Sequence, residues 1–354
     1  MPGVRWDIFC HVVDNFGDIG VCWRLARDLA SRGQGVRLLV DDRRALAWMA
    51  GAASGVEVQD WPSTAPALPL PDVVVEAFGC QLPELYLRTM ASAATPPRWI
   101  NLEYLSAQAY VERSHGLPSP QGPGPARGRV KHFFYPGFTT ATGGLLREPG
   151  LLEARARFDR DSWLSRHATS RRADERVVLL FGYPNPAVPA LLDTLAQAPT
   201  LLLLPRGALQ DQALAALRDR AAPDALRHVA LPYLSQIDFD HLLWSSDLNF
   251  VRGEDSLVRA LWAGAPFVWQ IYPQADGVHR DKLRAFVDRL LEGVSAADGA
   301  PVRAWFEHWN GLDSAVPALP DLACWRRRVL AWRARLAAQD DLTTQLLGFV
   351  TTTR

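Results

Sequence analysis

Short apolar runs that alternate with helical stretches constrain the fold of this chain more than any other feature. In the first half these runs lie at residues 5–13, 36–42, 71–79, 98–106 and 129–138. The alternation restarts in the second half, at residues 176–183, 200–205, 228–234, 247–253 and 266–273. Short apolar strands separated by helices predict parallel βαβ units. Because 354 residues are too many for one ordinary core, we expect two doubly wound α/β domains.

The predicted boundary between the two domains follows residue 155. We expect residues 1–155 to form an N-terminal Rossmann-like domain and residues 156–335 to form a second one. The tail carries apolar residues at steps of three and four, the spacing of one helix face: Leu322, Trp325, Val329, Trp332 and Leu336. We expect a last helix over residues 336–354 that packs back on the N-terminal domain.

Composition excludes several classes of partner. Lys and Arg total 38, as do Asp and Glu, whereas a generic nucleic-acid-binding protein is expected to carry a basic excess. The four cysteines show no CxxC spacing, which indicates buried thiols in a reducing compartment. We see no signal peptide, and no apolar run approaches the ~20 residues of a membrane span. We therefore expect a cytoplasmic protein that binds neither nucleic acid nor membrane.

The stretch RGEDSLVRALWAGAPFVWQIYPQ (252–274) predicts a strand end, a tight turn at Gly253 and a helix that begins with acids and Ser256. Asp or Ser at that place is a common N-cap, so an ordinary capped βαβ joint is one interpretation. A helix N-terminus also binds anions, and a nucleotide diphosphate suits it. In the second interpretation, Gly253, Asp255 and Ser256 contact a nucleotide.

The continuation of this stretch favours the second interpretation. An Ala-Gly-Ala-Pro helix end at 263–266 precedes a loop with Pro273, Gln274 and Asp276. This order resembles the donor site of nucleotide-sugar glycosyltransferases. The resemblance implies a GT-B type fold, in which two Rossmann-like doubly wound domains face a cleft.

The departing diphosphate needs positive potential, which the helix start at Ser256 and Arg252 or Arg259 can supply. We identify no Asp-x-Asp motif of the kind that holds a divalent ion between a sugar and a diphosphate. We therefore expect neither a metal ion nor another cofactor.

A nucleotide base also needs a recognition site. Tyr233, Gln236 and Phe239 lie just past a predicted strand end, and Tyr183 lies at the analogous end of another strand. Ligands bind at such strand ends in open α/β sheets. Aromatic rings and an amide suit a flat pyrimidine, although packing in the core is the more common role of a single aromatic residue.

The N-terminal stretch HVVDNFGDIGVCWRLARDLASRG (11–33) places Asp14 and Asp18 where a nucleotide-binding unit would carry glycines. Two carboxylates near a helix start repel a diphosphate and attract a cation. Four residues apart across Gly17, both can face a planar guanidinium group, and one can accept its proton. In the alternative interpretation, the two carboxylates cap the helix and satisfy amides of the turn.

Four stretches together resemble the bacterial protein-arginine rhamnosyltransferases that modify elongation factor P: HVVDNFGDIGVCWRLARDLA, WINLEYLSAQAYVERSHGLPSP, KHFFYPGFTTATGGLLRE and RGEDSLVRALWAGAPFVWQIYPQ. The resemblance extends from about Asp7 to the C-terminal helix. It implies an inverting glycosyltransferase with dTDP-β-L-rhamnose as the donor. The implied acceptor is one arginine on a loop of elongation factor P, and the product is an α-rhamnosyl arginine.

The resemblance also implies roles for individual residues. Asp18 is the catalytic base, Asp14 is its essential neighbour, and Glu254 is a third essential carboxylate. The other implied residues contact the donor: Asn15, Phe16 and Gly17 at the sugar, Asp255 and Ser256 at the ribose and diphosphate, and Tyr183, Tyr233, Gln236 and Phe239 at the thymine.

Three other functions remain open from the sequence. A glycosyltransferase acting on a small molecule or glycan would use the same donor pocket, although one base would then normally suffice. A dinucleotide-dependent oxidoreductase is disfavoured because no G-x-G-x-x-G follows the first strand. A binding module without catalysis is disfavoured because acids are present at both predicted sites.

Overall fold

The structure is a computed structural model that describes residues 3–13, 16–51, 55–61, 69–167, 169–218, 225–273 and 277–352. The chain divides into two compact units. Unit 1 comprises Met1–Pro149 together with Leu336–Arg354, and unit 2 comprises Gly150–Arg335. The boundary predicted from the sequence lies a few residues later, after residue 155.

The strands are β1 (Arg5–Cys10), β2 (Gly35–Val40), β3 (Val56–Asp60), β4 (Val73–Ala77), β5 (Arg98–Leu102), β6 (Pro118–Pro120), β7 (Val130–Phe134), β8 (Arg176–Leu180), β9 (Thr200–Leu204), β10 (Leu226–Ala230), β11 (Leu248–Arg252) and β12 (Phe267–Gln270). The helices are α1 (Gly17–Ser31), α2 (Leu46–Met49), α3 (Glu84–Ser92), α4 (Tyr110–Ser114), α5 (Leu151–Arg157), α6 (Arg160–His167), α7 (Val188–Leu195), α8 (Ala208–Arg218), α9 (Gln236–Ser245), α10 (Gly253–Ala263), α11 (Val278–Leu290), α12 (Ala296–Trp309), α13 (Leu322–Ala337) and α14 (Leu342–Thr352).

Unit 1 is built on a seven-stranded sheet in the order β3-β2-β1-β4-β5-β7-β6. All neighbouring strands are parallel except β6, which pairs antiparallel with β7. The chain winds outward from β1 in both directions, so the strand order reverses between β1 and β4. Ligands of open α/β sheets bind beyond the carboxyl ends of the strands at this kind of reversal.

Unit 2 repeats the same plan with a fully parallel sheet in the order β10-β9-β8-β11-β12. Here the strand order reverses between β8 and β11. The predicted fold class, two Rossmann-like α/β domains, agrees with this topology.

Central strands of both sheets are buried at every position, as in β4 (VVVEA) and β9 (TLLLL). Helices cover both faces of such parallel sheets, which explains why these strands read as continuous apolar runs. The amphipathic helix α1 contributes Ile19, Trp23 and Leu29 to the core cluster of unit 1. The apolar pattern of the sequence therefore sets which segments form the two cores.

Two strands were not predicted. Strand β3 (VEVQD) is only half-buried along most of its length, so it lacks an apolar run. The Pro- and Gly-rich stretch at 115–128 contains β6, which its composition disfavours as a strand. Proline is tolerated there because β6 forms the edge of its sheet, where fewer amides need a partner.

The C-terminal tail has two parts. The predicted face of α13 is buried at Trp325, Val329, Trp332 and Leu336. The tail then enters unit 1, where Leu342, Leu346 and Val350 of α14 belong to the same core cluster as α1. No helix within the described ranges is long and apolar enough to cross a membrane.

Candidate active site

In unit 1 the candidate site begins at Asp18, in the first turn of α1. Its side chain is 3% exposed, and Oδ2 accepts a hydrogen bond from the backbone N–H of Val13 at 2.9 Å. The carboxylate therefore holds the turn after β1, as the alternative interpretation of this acid expects. The same bond fixes the direction of the carboxylate, which a catalytic base also requires.

The other predicted residues of this turn are only partly described. Asp14 and Asn15 lie outside the described residues. The ring of Phe16 packs edge-on against Trp48, with ring centres 5.0 Å apart, and Gly17 is the first residue of α1. Phe16 thus has a packing contact inside unit 1 next to Asp18.

Two thiols lie beneath this turn. Cys10 and Cys22 are fully buried, Cys80 is half-buried and Cys324 is exposed, so the prediction of buried thiols is wrong for Cys324. A hydrogen bond to Cys10 and burial raise the pKa of Cys22 well above its ordinary value, and the charge of Asp18 adds to this effect. Cys22 is therefore protonated at neutral pH and is not a candidate nucleophile.

In unit 2 the candidate site begins where β11 passes into α10. The helix starts at Gly253, whose φ of 64° is in the left-handed region that favours glycine. Arg252 occupies the N-cap and makes no side-chain capping bond, so the expected Asp or Ser cap is wrong. Asp255 and Ser256 follow in the first turn, where backbone amides lack intrahelical partners and favour an anion.

Glu254 in this turn forms an ion pair. Its Oε1 accepts a hydrogen bond from Nζ of Lys282 on α11 at 2.7 Å, and the two side chains are only 17% and 19% exposed. Lys282 thereby offsets a negative charge at a place that otherwise suits an anion. Lys282 lies in the same region of the sequence as the predicted donor site but was not predicted to be a site residue.

The two predicted cations of unit 2 have different surroundings. The guanidinium of Arg252 lies over the rings of Phe181 and Tyr183, at 5.0 and 4.7 Å from their centres. Arg259 is buried and donates two hydrogen bonds to Asp240, at 2.9 and 2.6 Å. The charge of Arg259 is therefore balanced inside the fold by Asp240.

Aromatic rings gather around Arg252 at the carboxyl ends of β8 and β12. The backbone N–H of Tyr183 donates to Oε1 of Gln270 at 2.8 Å. Its ring also meets Tyr272 edge-on at 5.5 Å. Phe181 contacts the predicted Phe239 in the same way, at 5.1 Å. The structure thus brings Tyr183, Phe239 and Arg252 into one neighbourhood, and adds Gln270 and Tyr272, which the sequence analysis did not select.

Gly182 lies between Phe181 and Tyr183, just after the end of β8, in tightly packed surroundings. A Cβ atom at this position would come within 2.6 Å of the Gln270 Oε1 atom and 2.7 Å of Leu209 Cδ2. A side chain here would therefore displace the Gln270 amide, which accepts the Tyr183 bond, or the Leu209 methyl group.

The remaining predicted donor residues lie at the start of α9 and after β12. Gln236 is the first residue of α9 and is 5% exposed, whereas Tyr233 is 45% exposed. Pro273 is exposed, and Gln274 and Asp276 lie outside the described residues.

One literal Asp-x-Asp triplet occurs at Asp238 and Asp240 in α9. Asp238 accepts a hydrogen bond from the Ser235 hydroxyl at 2.7 Å, and Asp240 pairs with Arg259. Both carboxylates thus have partners from the protein itself. Across the residues that the structure describes, no group of three or more His, Cys, Asp or Glu side chains is arranged to hold a metal ion.

The sequence matches a family model over residues 6–351, described as elongation-factor P (EF-P) rhamnosyltransferase EarP. A protein-arginine rhamnosyltransferase of Pseudomonas aeruginosa is 44% identical, with 97% of this chain and 98% of that protein covered. A second one, from Neisseria meningitidis, is 37% identical over 99% of this chain and 97% of its own length.

Solved structures agree with the fold. A structure described as the structural basis for EarP-mediated arginine glycosylation of translation elongation factor EF-P has a TM-score of 0.66 and 32% identity, with 99% and 100% of the two chains covered. A spinosyn rhamnosyltransferase complexed with thymidine diphosphate has a TM-score of 0.55 at 12% identity, with 98% and 99% covered. At 12% identity, the likeness to the spinosyn enzyme shows the fold alone. Together the two likenesses confirm the predicted GT-B fold class.

The buried pair of Asp240 and Arg259 generates a stability prediction. Asp240→Asn leaves the Arg259 charge buried with a weakened partner, so we expect a loss of about 3–5 kcal/mol in the free energy of unfolding of unit 2. Denaturant unfolding followed by tryptophan fluorescence measures it. The matched control is Asp288→Asn, which breaks a surface pair with Arg303 at 2.7 Å and is expected to cost less than about 1 kcal/mol. Equal losses in the two variants would contradict the buried role of Arg259.

Proposed function

The chain belongs to the EarP family of elongation-factor-P rhamnosyltransferases, which are glycosyltransferases, and we propose that it transfers rhamnose from dTDP-β-L-rhamnose to one arginine of elongation factor P. The proposal includes inversion at the sugar carbon C1, which gives an α-rhamnosyl arginine. Since the acceptor is a translation factor, we infer that the enzyme works in the cytoplasm.

The observation that carries the proposal is a difference in charge between the two strand-order reversals: one presents a carboxylate and the other presents positive potential. In unit 1 the reversal presents Asp18, a buried and oriented carboxylate, which suits a cationic acceptor. In unit 2 the reversal presents the start of α10 and the Arg252 guanidinium among aromatic rings, which suits an anionic nucleotide. An arginine acceptor and a nucleotide-sugar donor match these two chemistries.

The acceptor step is difficult because guanidinium keeps its proton, with a pKa above about 12, and is a poor nucleophile. A carboxylate that accepts hydrogen bonds from the guanidinium orients one nitrogen toward C1. As the N–C1 bond forms, a proton of that nitrogen passes to the Asp18 carboxylate. The C1–O bond breaks on the opposite face, and dTDP leaves with the electron pair.

The donor step depends on stabilising the negative charge that develops on the departing diphosphate. The first-turn amides of α10 and the Arg252 guanidinium can supply fixed positive potential without any reorganisation at the moment of reaction. Tyr183, Phe181 and Phe239 offer ring faces and edges for the thymine, and Gln270 and Gln236 offer amide groups. These contacts need no metal ion, so we propose a metal-independent reaction.

Glu254 is proposed to act in the reaction. Capping of α10 by its side chain is not observed, because Arg252 is the N-cap residue. The ion pair with Lys282 stabilises the ionised form of Glu254, and an ionised carboxylate can accept bonds from rhamnose hydroxyls or from a guanidinium.

The proposed function is tested by mass spectrometry of elongation factor P incubated with dTDP-β-L-rhamnose and this protein. A gain of one deoxyhexose on one arginine supports it. Transfer to a glycan or small molecule, with elongation factor P unmodified, would instead support the alternative glycosyltransferase.

For Asp18→Asn we expect a loss of transfer of at least about 100-fold with little change in dTDP affinity, since the amide can still accept the Val13 bond but cannot take a proton. Mass spectrometry gives the transfer rate and calorimetry gives the dTDP affinity. Asp41→Asn is the matched control, because Asp41 accepts the neighbouring amide of Val12 at 2.9 Å. If Asp18→Asn weakens dTDP binding as strongly as it slows transfer, Asp18 is not the base.

For Glu254→Gln we expect an unchanged melting temperature and transfer reduced by about 100-fold or more, because the amide keeps the shape of the side chain and loses its charge. A melting curve and the transfer assay measure the two effects. The control is Asp281→Asn, an acid at the start of α11 whose side chain is 75% exposed. A fully active Glu254→Gln variant with a lowered melting temperature would mean that the ion pair with Lys282 is structural.

Chelation tests whether the transfer reaction depends on a metal ion. We expect EDTA to leave the rate of transfer unchanged, because helix amides and Arg252 are proposed to stabilise the leaving group. The measurement is the same assay with and without EDTA. A clear loss that magnesium or manganese restores would overturn this account.

A further inference from the structure

The segment that follows β4 has unusual backbone conformations. Phe78 and Gln81 have φ values of 57° and 54°, and Gly79 between them has 66°. A left-handed conformation is uncommon for a bulky aromatic residue and is unfavourable for it. Such residues cluster at binding and catalytic sites, where the surrounding structure holds them in place.

Buried polar groups hold this segment. The backbone N–H of Phe78 donates to the Leu102 carbonyl at 2.7 Å, and that of Gly79 donates to Oδ1 of Asn101 at 3.2 Å. Asn101 is only 3% exposed. One backbone and one side-chain acceptor at the end of β5 therefore fix the direction in which Phe78 leaves β4.

Glu76 fixes the other end of the segment. Its Oε1 accepts from the backbone N–H of Gln81 at 3.2 Å, and its Oε2 accepts from the Trp99 indole and from Lys131 at 3.0 and 3.1 Å. Glu76 is 2% exposed, and a buried carboxylate is costly unless it is paired and hydrogen-bonded. This buried network over-determines the segment and maintains its left-handed residues.

The segment supports an aromatic pair that reaches solvent. The ring of Phe78 stacks on that of Tyr104, with ring centres 4.5 Å apart and 16° between the planes. Tyr104 is 39% exposed, whereas Phe78 packs against the core of unit 1. We call Phe78 and Tyr104 the aromatic platform.

The platform lies at the strand-order reversal of unit 1. Phe78 follows β4, and Asp18 follows β1, its neighbour in the sheet. Tyr104 follows β5, the next strand beyond β4. Adjacent strands are about 4.8 Å apart, so the platform lies roughly one to two strand spacings from the turn that carries Asp18. An extended peptide advances about 3.3 Å per residue. If the reacting arginine of the acceptor lies at Asp18, acceptor residues two or three positions away from that arginine can therefore reach the platform.

The chemistry around the platform suits a positively charged polypeptide. Aromatic ring faces attract guanidinium and ammonium groups, and Glu103 precedes Tyr104 in the chain. Beyond Glu103, Tyr110 is 43% exposed and meets Tyr135 edge-on at 5.8 Å. Burial and the charge of Glu103 raise the pKa of Tyr135 to about 12, so its hydroxyl remains a hydrogen-bond donor at neutral pH.

We propose that the aromatic platform, with Glu103 beside it, binds the segment of the acceptor protein that flanks the reacting arginine and so selects the acceptor. The inference rests on the proposed function, in which that acceptor is elongation factor P. Asp18 acts on the guanidinium itself, and the platform holds the polypeptide on either side of it.

The test is steady-state kinetics of full-length enzyme with elongation factor P for Tyr104→Ala and Phe78→Gly. Glycine accepts the left-handed conformation, so Phe78→Gly removes the ring and relieves the strained backbone at once. We expect KM for elongation factor P to rise at least tenfold in both variants. KM for dTDP-rhamnose and the rate at saturating acceptor should stay within about twofold of wild type, and Tyr104→Phe should restore KM.

Val130→Ala is the control, since Val130 is 40% exposed and begins β7, at the amino end of that strand and therefore at the opposite edge of the sheet from the platform. An unchanged KM for elongation factor P in both variants would overturn the proposal. A raised KM for dTDP-rhamnose would also overturn it, because the platform would then contact the sugar. If Tyr104→Ala lowers the melting temperature, its kinetics cannot be interpreted, and Glu103→Gln is the variant to measure instead. An unchanged KM for elongation factor P in Glu103→Gln then overturns the proposal. Failure of the wild-type enzyme to modify elongation factor P would instead overturn the proposed function.

Discussion

The reversal of strand order beside the first strand of each sheet is the constraint on which the candidate site depends. Helices that wind outward in opposite directions leave the carboxyl ends of β1 and β4, and of β8 and β11, uncovered. Asp18 and Phe78 flank the first reversal, and Tyr183 and Arg252 flank the second. Each unit therefore has a place where loop side chains can meet a ligand, and the residues at that place set its chemistry.

The charged side chains near the start of α10 have different surroundings. In unit 2, Arg259 is balanced by Asp240 and Glu254 by Lys282, whereas the Arg252 guanidinium lies over two rings. A carboxylate at a helix start opposes anion binding until a cation offsets it, which is what Lys282 does. The helix start of α10 can therefore keep its preference for an anion while it carries a carboxylate.

Much of the fold was predictable because its strands are buried on both faces. β4 and β9 read as unbroken apolar runs, whereas β3 alternates with polar residues and was missed. The apolar runs also extend past the ends of several strands. In the run at 71–79 the strand ends at Ala77, so Phe78 belongs to the loop. Apolar character predicts burial or aromatic contact, and it does not tell where pairing with the next strand stops.

The ion pairs of the site were not predictable for a different reason. Glu254 and Lys282 are 28 positions apart, and Arg259 and Asp240 are 19 apart, so each contact depends on the packing of two helices. From the sequence, Arg259 and Arg252 were equivalent cations near one helix start. Local spacing identified which residues lie at the strand ends, and only the tertiary packing shows that Arg259 pairs with the buried Asp240.

The fold by itself does not determine the acceptor. A spinosyn rhamnosyltransferase shares the fold at 12% identity, so an α/β architecture of this kind is compatible with very different acceptors. Acceptor selection must then depend on side chains that the fold does not require. The left-handed Phe78 is such a residue, because an ordinary strand-to-helix connection needs no bulky residue in that conformation. Glu76 and Asn101 hold it with buried hydrogen bonds, which ties an unfavourable backbone to the same edge of the sheet as Asp18.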